Sequence, residues 1–276
     1  MILENMSEEL EVAISAVMAA GEQVLDLYEQ HNYTEVTKED ESPVTEADEL
    51  SNEIIKAILK EFDEENKYAI LSEEDADDLS RFEKDRVWIL DPLDGTKEFI
   101  KRNDEFCVML ALLVENELEL GVVFAPALDA VFFAQKGFGA YMIKGDNEPV
   151  KISTSNIEST NEFRMLVSRS HVRDQEKSIA KELGVKEIIG VGSGYKTCVI
   201  ASGNAEIAMN LSGGQKEWDI AAPAIILQEA GGYVCDKFGK HLMFNKDDVR
   251  MNKGVVAVNN KKNIDKIVET IKNNSE

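Results

Sequence analysis

Cysteine, basic residues and long apolar runs are all scarce in this sequence. The three cysteines among 276 residues are widely spaced, so neither a disulfide framework nor a cysteine-rich zinc site is expected. No apolar stretch reaches the roughly 18 residues that a membrane-spanning helix needs. The 30 basic residues are outnumbered by 53 acidic ones, a formal net charge of −23, which argues against binding to a nucleic acid polymer. Because residues 1–10 are acidic and lack the basic start of a signal peptide, we expect a cytoplasmic protein with reduced thiols.

Apolar residues, by contrast, are plentiful. They make up 43% of the chain, which is enough for a substantial core. The length suits one large domain or two smaller ones. The acidic excess is compatible with a small anionic substrate, provided that metal ions supply local positive charge.

The order of the predicted elements divides the chain into two halves. Residues 1–148 contain two amphipathic helices and then several strand-like runs separated by short turns, a pattern that favours antiparallel pairing. Residues 149–276 alternate strands with helices. We therefore predict a mixed α/β fold in which an α+β half packs against an α/β half. The polar segment 144–149 is the candidate boundary.

The most informative segment is residues 87–99, VWILDPLDGTKEF. An apolar strand ends there in Asp91 and Asp94, which lie three positions apart around a proline. Mg²⁺ is usually held by one or two carboxylates together with substrate phosphates. The amides of Gly95 and Thr96 would open a short helix, and helix N-termini bind phosphate. Taken alone, the motif is explained equally well as an ordinary Asp-Pro-Gly turn.

Three further acidic residues lie at the ends of predicted elements. Asp48 and Asp219 begin helices, and the common explanation for an aspartate there is helix capping. Glu73 follows a strand, and the common explanation for a glutamate there is a solvated charge in a loop. Together with Asp91 and Asp94 they make five carboxylates, which would repel one another strongly if clustered. Two or three Mg²⁺ ions would remove that conflict. In two-metal sites the ions activate a water molecule and stabilise the leaving oxygen.

These motifs, in this order and spacing, resemble the inositol monophosphatase superfamily of Mg²⁺-dependent, lithium-sensitive phosphatases. The resemblance covers about residues 8–260 and includes the Glu-Glu pair at 73–74, DPLDGT at 91–96 and WDIAA at 218–222. Within the superfamily the chain is more similar to 3′(2′),5′-bisphosphate nucleotidases, which remove the 3′-phosphate of adenosine 3′,5′-bisphosphate, a by-product of sulfur metabolism. TKEF at 96–99, VSRSH at 167–171 and GSGYK at 192–196 carry this likeness. The implied fold is a layered αβαβα sandwich with the active site between the two halves.

The resemblance also implies roles for particular residues. Thr96, paired with Asp48 and assisted by Glu73, would orient and deprotonate the attacking water, while the Gly95 and Thr96 amides hold the phosphate. The implied ligands of two or three Mg²⁺ ions are Asp48, Glu73, Asp91, the Leu93 carbonyl, Asp94 and Asp219. The candidate substrate contacts are Gly95, Thr96, Lys97, Ser170, His171, Ser193, Lys196 and Glu217.

These motifs do not decide which phosphorylated compound is the substrate. Nucleotidases of this kind often carry a neutral or basic residue before Trp-Asp, whereas this chain has Glu217, and a carboxylate there can contact sugar hydroxyls. An inositol monophosphatase or a fructose-1,6-bisphosphatase on the same scaffold is therefore an alternative. A non-catalytic metal-dependent sensor is another, although a sensor has no need of a water-activating Thr96. In each case the expected partner is a small phosphorylated metabolite, with no membrane and no nucleic acid polymer, and the protein is expected to be a monomer or a homodimer.

Overall fold

Two amphipathic helices begin the fold in the computed structural model, which describes residues 6–30, 35–37, 43–169 and 173–274. They are α1 (Glu8–Gln30) and α2 (Glu46–Phe62). Thr45 caps α2: its hydroxyl accepts the Ala47 amide, and the Asp48 carboxylate accepts the Thr45 amide at 2.7 Å. Asp48 is thus the third residue of the helix, and Thr45 takes the capping position that the sequence suggested for Asp48.

The first half is built on a seven-stranded sheet whose strands follow one another in chain order. Only its first two strands are parallel, and the remaining pairs are antiparallel, as the short turns predict. A separate two-stranded ribbon is formed by β1 (Glu35–Thr37) and β2 (Pro43–Thr45). The seven strands are β3 (Tyr68–Ser72), β4 (Arg86–Asp94), β5 (Cys107–Val114), β6 (Glu117–Ala125), β7 (Ala130–Gln135), β8 (Gly139–Lys144) and β9 (Val150–Ile152), with α3 (Thr96–Lys101) after β4.

The second half is built on a five-stranded mixed sheet. Its strands are β10 (Arg164–Ser168), β11 (Glu187–Val191), β12 (Ile207–Asn210), β13 (Tyr233–Cys235) and β14 (Val255–Val258), in the order β11-β10-β12-β14-β13. Its helices are α4 (Asp174–Leu183), α5 (Tyr195–Ala201), α6 (Ala221–Glu229) and α7 (Ile264–Asn273).

Three apolar cores separate five layers. One core lies between α1/α2 and the seven-stranded sheet, a second surrounds α5 and α6 between the two sheets, and a third lies between the five-stranded sheet and α4/α7. Helix α6 packs directly on β6, since Gly121 has no side chain there. A Cβ added at Gly121 would lie 2.6 Å from Ile225 Cγ2. The predicted αβαβα sandwich is confirmed.

Element boundaries differ from the predicted ones in two places that matter for the site. The predicted division between residues 148 and 149 falls just before β9, which pairs with β8 and so belongs to the first sheet. Asp219 is predicted to begin a helix, but α6 begins at Ala221, because residues 217–220 form a turn. Asp219 therefore lies in a turn before α6. Cys107, Cys198 and Cys235 are all buried free thiols. Among the described residues, no helix is long and apolar enough to cross a membrane.

Candidate active site

Three carboxylates from separate parts of the chain converge where the two halves meet. One oxygen each of Glu73, Asp91 and Asp219 lie within 4.8 Å of one another. Glu73 and Asp91 come together because β3 and β4 are parallel, so their carboxyl ends share one edge of the sheet, and the Glu73 amide donates to the Leu90 carbonyl at 3.2 Å. The turn before α6 brings Asp219 to the same point from the second half.

Asp91 is the centre of this cluster and is only 1% exposed. Neither of its carboxylate oxygens has a hydrogen-bond partner among the described residues. Burial, and then the nearby charges of Glu73, Asp94 and Asp219, raise the pKa of Asp91 well above its ordinary value. A buried carboxylate without a partner is costly. A divalent cation would satisfy both oxygens at once, so these residues fit a hard metal ion with oxygen ligands.

Asp94 reaches the site because β4 is irregular at its end. Residues i and i+3 of a regular strand point to opposite faces, but the pairing with β5 shifts register between Asp91 and Asp94. The hydroxyl of Ser51 on α2 donates to the Pro92 carbonyl at 2.7 Å within this irregular segment. The Gly194 amide from the second half donates to Asp94 Oδ2. Asp94 therefore joins the two halves at the carboxylate cluster.

Asp219 is held by its own turn. The Lys216 amide donates to Asp219 Oδ2 at 2.6 Å. Burial, followed by the charges of Asp94 and Glu73, raises the pKa of Asp219 to about 8. The carboxylate is thus fixed by one oxygen, and electrostatics favour a cation beside it.

Asp48 and Thr96 form the second part of the site. The Thr96 hydroxyl lies 3.0 Å from Asp48 Oδ1 and 3.2 Å from the Leu93 carbonyl, either of which can accept its proton. Asp48 Oδ2 accepts the Thr45 amide at 2.7 Å and the Thr45 hydroxyl at 2.8 Å. Burial raises the pKa of Asp48 to about 6, although the bonds from Thr45 oppose the shift. Gly95 turns the chain between strand and helix with a φ of 91°, where a Cβ would meet the Glu105 carbonyl at 3.0 Å.

A cavity of about 380 Å³ opens beside these groups and extends across the ends of the second sheet. Asp94, Gly95 and Asp219 line one side. The rest of the wall carries charges of both signs and several polar side chains: Arg173, Lys196, Glu98, Glu176, Ser168, Ser193, Asn210 and Gln215.

Lys196 is the cation of this wall next to the carboxylates. Its ammonium donates to the carbonyls of Ser193 at 2.6 Å and Val191 at 3.4 Å. Burial lowers the pKa of Lys196, while the charges of Asp94 and Glu98 oppose the shift. The amino group therefore lies where it can meet an anionic substrate that also touches the carboxylates.

The structure brings Ser193, Lys196 and Gly95 to the cavity wall, but not Lys97 or Glu217. Lys97 is exposed on α3. Glu217 is 0% exposed, and its oxygens accept the amides of Asn245 at 2.6 Å and Lys246 at 3.0 Å. Its carboxylate thus binds the protein's own backbone rather than facing the cavity. Ser170 and His171 lie outside the described residues.

Sequence reasoning missed several polar residues of the wall. Arg173 directly precedes α4, and Glu176 lies in its first turn. Acidic residues are so common in the first turn of a helix that Glu176 gives no functional signal. Glu176 is 4% exposed, and burial raises its pKa. Glu98 lay inside the recognised motif, but only the fold shows that it faces the cavity.

Comparison with known proteins places this site in a family. Residues 5–276 match the inositol monophosphatase family. The chain is 33% identical to the 3′(2′),5′-bisphosphate nucleotidase CysQ of Salmonella typhimurium over 247 residues, covering 89% of this chain and 97% of that protein. It is 32% identical to the protein of the same name from Escherichia coli K12 over 237 residues, covering 85% and 93%.

The comparison with solved structures agrees with this family match. CysQ from Bacteroides thetaiotaomicron superposes with a TM-score of 0.78 at 32% identity, covering 92% of this chain and 98% of that chain. The extragenic suppressor protein suhB from Bartonella henselae superposes with a TM-score of 0.81 at 25% identity, covering 96% and 99%. These matches confirm the predicted family, and the chain belongs to the inositol monophosphatase family.

Proposed function

We propose that this protein is a Mg²⁺-dependent 3′(2′),5′-bisphosphate nucleotidase that hydrolyses adenosine 3′,5′-bisphosphate to AMP and phosphate. The observation that carries the proposal is Asp91, a buried carboxylate without a partner among the described residues, set between Glu73 and Asp219. The cavity beside it supplies cationic groups, and the relatives that cover most of the chain are named as nucleotidases.

The metal ligands in this proposal are those implied by the motifs. Glu73, Asp91 and the Leu93 carbonyl would hold one Mg²⁺, Asp94 and Asp219 with Asp91 a second, and Asp48 with Glu73 would help to hold a third. Bound Mg²⁺ lowers the pKa of water and neutralises charge on the phosphoryl oxygens.

Thr96 and Asp48 would position the attacking water. When the Thr96 hydroxyl donates to Asp48 Oδ1, its lone pairs are free to accept a hydrogen bond from water. Asp48 can then receive, through the hydroxyl, the proton that the water gives up. Because Asp48 Oδ2 is held by Thr45, the carboxylate keeps this orientation. The amides of Gly95 and Thr96 would bind the phosphate.

The preference over inositol 1-phosphate rests on the two cations of the cavity, and the preference over fructose 1,6-bisphosphate rests on the relatives that are named as nucleotidases. A bisphosphate carries a second anionic group that inositol 1-phosphate lacks, and Arg173 and Lys196 both line the cavity. The volume of about 380 Å³ lies within the range of roughly 300–1,000 Å³ common for small-molecule sites. Ser193 would contact a phosphate or the ribose, and by resemblance so would Ser170 and His171. Lithium inhibition and a role in sulfur metabolism follow from the same resemblance, and a cytoplasmic location follows from the acidic residues 1–10; all three stay predictions.

One assay tests the proposal: Mg²⁺-dependent phosphate release from adenosine 3′,5′-bisphosphate, inositol 1-phosphate and fructose 1,6-bisphosphate, compared by kcat/KM. We expect a preference for the nucleotide of at least tenfold, and no release by Asp91→Asn. A preference for either sugar phosphate would keep the metal mechanism and overturn the substrate. Mg²⁺ binding without phosphate release from any of the three would favour a sensor.

A further inference from the structure

Arg81 is a buried cation in the loop that follows Glu73. Its side chain is 1% exposed, although the segment 74–84 is rich in polar residues. The guanidinium donates to Asp77 from two nitrogens that converge on Oδ2, Nε at 3.0 Å and Nη2 at 2.8 Å, and Nε also lies 3.2 Å from Oδ1. It also reaches far along the chain: Nη1 donates to Asn245 Oδ1 at 2.5 Å, and Nη2 to the Lys246 carbonyl at 2.8 Å.

Glu217 binds the same two residues from the other side. Its Oε2 accepts the Asn245 amide at 2.6 Å, and its Oε1 accepts the Lys246 amide at 3.0 Å and lies 3.6 Å from Lys246 Nζ. The backbone of residues 245–246 therefore lies between a buried cation and a buried anion. Asp77 neutralises Arg81, and this short segment supplies further acceptors to Arg81 and two amide donors to Glu217, which offsets the cost of burying both charges.

The segment connects the loops that carry two carboxylates of the cluster. The chain from Glu73 runs directly into the loop that contains Arg81, and Asp75 of that loop is fixed to Asn52 and Lys56 on α2. Glu217 immediately precedes Trp218 and Asp219, and its carbonyl accepts the amides of Ile220 and Ala221 in the turn before α6. Arg81 and Glu217 thus fix, through one shared contact, the loop after Glu73 and the turn of Asp219.

We propose that Arg81, Asn245, Lys246 and Glu217 form a clamp that holds Glu73 and Asp219 at metal-binding distance. Carboxylates within 4.8 Å repel one another, and both lie on connecting segments that could separate to relieve the repulsion. The clamp prevents that separation. Arg81 and Glu217 are positioning residues that touch neither substrate nor metal. The inference rests on the proposed function only in that the cluster binds Mg²⁺.

The test is Mg²⁺ binding to the full-length protein without substrate, measured by titration calorimetry after removal of metal with a chelator. We expect Arg81→Met to raise the Kd for Mg²⁺ by about 10- to 100-fold, the usual loss when a partner behind the ligands is removed. Because the clamp does not touch substrate, kcat should recover most of its value at saturating Mg²⁺. The Kd of Arg81→Lys for Mg²⁺ should lie between those of the unaltered protein and Arg81→Met, since the point charge of a lysine cannot reproduce the hydrogen bonds of a guanidinium group.

The matched control is Arg164→Met. Arg164 is likewise an arginine in an ion pair with one buried member: its Nη2 lies 2.6 Å from Oε1 of the fully buried Glu206, but at the ends of β10 and β12 opposite the cavity. This variant should lose thermal stability with no change in the Kd for Mg²⁺. A general loss of stability would therefore not imitate the expected result.

Asn245→Gly serves if Arg81→Met does not fold. It removes one acceptor of Arg81, and glycine suits the φ of 54° at that position. A folded Arg81→Met or Asn245→Gly protein with the unaltered Kd for Mg²⁺ would overturn the clamp. Because no substrate is present, failure of the nucleotidase proposal would appear separately, as Mg²⁺ binding without phosphate release.

Discussion

The hydroxyl of Thr96 lies 3.0 Å from Asp48 Oδ1, so the first turn of α2 and the first residue of α3 are joined beside the carboxylate cluster. Asp48 is 2% exposed and its other oxygen is occupied by Thr45. The Asp48 carboxylate is therefore held in one orientation, and the hydroxyl oxygen of Thr96 is available to a water molecule.

Replacement of Thr96 by valine should lower kcat by about 10²- to 10⁴-fold, the usual contribution of a positioned acid–base group. Valine has nearly the shape of threonine but cannot accept a proton from water or pass one to Asp48. Thr96→Ser keeps the hydroxyl and should retain most of the activity. The measurement is steady-state kinetics on adenosine 3′,5′-bisphosphate at saturating Mg²⁺.

Thr160→Val is the control for this substitution. Thr160 is also buried, and its hydroxyl donates to the Leu183 carbonyl at 2.8 Å, far from the carboxylates. This variant should lose stability by about 1 kcal/mol and keep its kcat. A Thr96→Val protein with more than a tenth of the normal kcat would remove Thr96 from the proposed mechanism.

Asp94→Asn should nearly abolish turnover while the protein stays folded. Asn can still accept the Gly194 amide through its carbonyl, so the contact between the halves survives, but its amide nitrogen cannot bind a cation. Circular dichroism and thermal melting check the fold, and phosphate release checks activity. Asp236→Asn, at a buried aspartate whose Oδ1 accepts the Phe238 and Lys240 amides, controls for loss of a buried charge. Activity of Asp94→Asn above a tenth of normal would contradict its role as a ligand.

The order of layers and the cluster of carboxylates could both be predicted from sequence. Asp91 and Asp94 follow an apolar run with no break, so the strand and its acidic end are local properties of the chain. Glu73 follows a second such strand. Once the motifs were matched to a family, the fold that joins them followed.

The clamp and most of the cavity wall could not be predicted in this way. Arg81 lies among the acidic residues of a polar loop, and nothing in that pattern indicates that its partners are Asn245 and Lys246. The sequence suggested that Glu217 contacts sugar hydroxyls, because it is close to Asp219 in the chain. Its amide partners come from a distant segment, and only the tertiary fold shows that they occupy the carboxylate.

Metal-free protein should lose stability as the pH rises from about 4 to 8. Burial raises the pKa of Asp48 to about 6 and of Asp219 to about 8, whereas unfolded carboxyls titrate near 3.9. Between those values the native protein holds protons that the unfolded chain has released, so raising the pH favours unfolding. The stabilisation is complete below about pH 4 and is lost as the pH passes about 6 and then about 8.

Urea denaturation in the presence of a chelator, at constant ionic strength and several pH values, measures this effect. Saturating Mg²⁺ should restore stability at pH 8, because the cation replaces the protons in neutralising the cluster. Asp91→Asn removes the central charge, so its metal-free stability should fall less over the same range. A metal-free stability that increases from pH 5 to pH 8 would contradict the electrostatic account.

Lys196→Ala should impair hydrolysis of adenosine 3′,5′-bisphosphate more than hydrolysis of inositol 1-phosphate. Lys196 lines the cavity with its ammonium beside the Ser193 carbonyl, at the place proposed for the second phosphate or the ribose. Loss of a charge-assisted hydrogen bond costs about 1.5–3 kcal/mol, so kcat/KM for adenosine 3′,5′-bisphosphate should fall about 10- to 100-fold. Inositol 1-phosphate carries no second phosphate, so kcat/KM for that substrate should fall less than threefold.

Lys97→Ala is the comparison, because Lys97 is exposed on α3 outside the cavity wall and should have the smaller effect. Equal losses on both substrates in Lys196→Ala would mean that the lysine supports the reacting phosphate or the fold, and would leave the nucleotide preference without a residue to explain it.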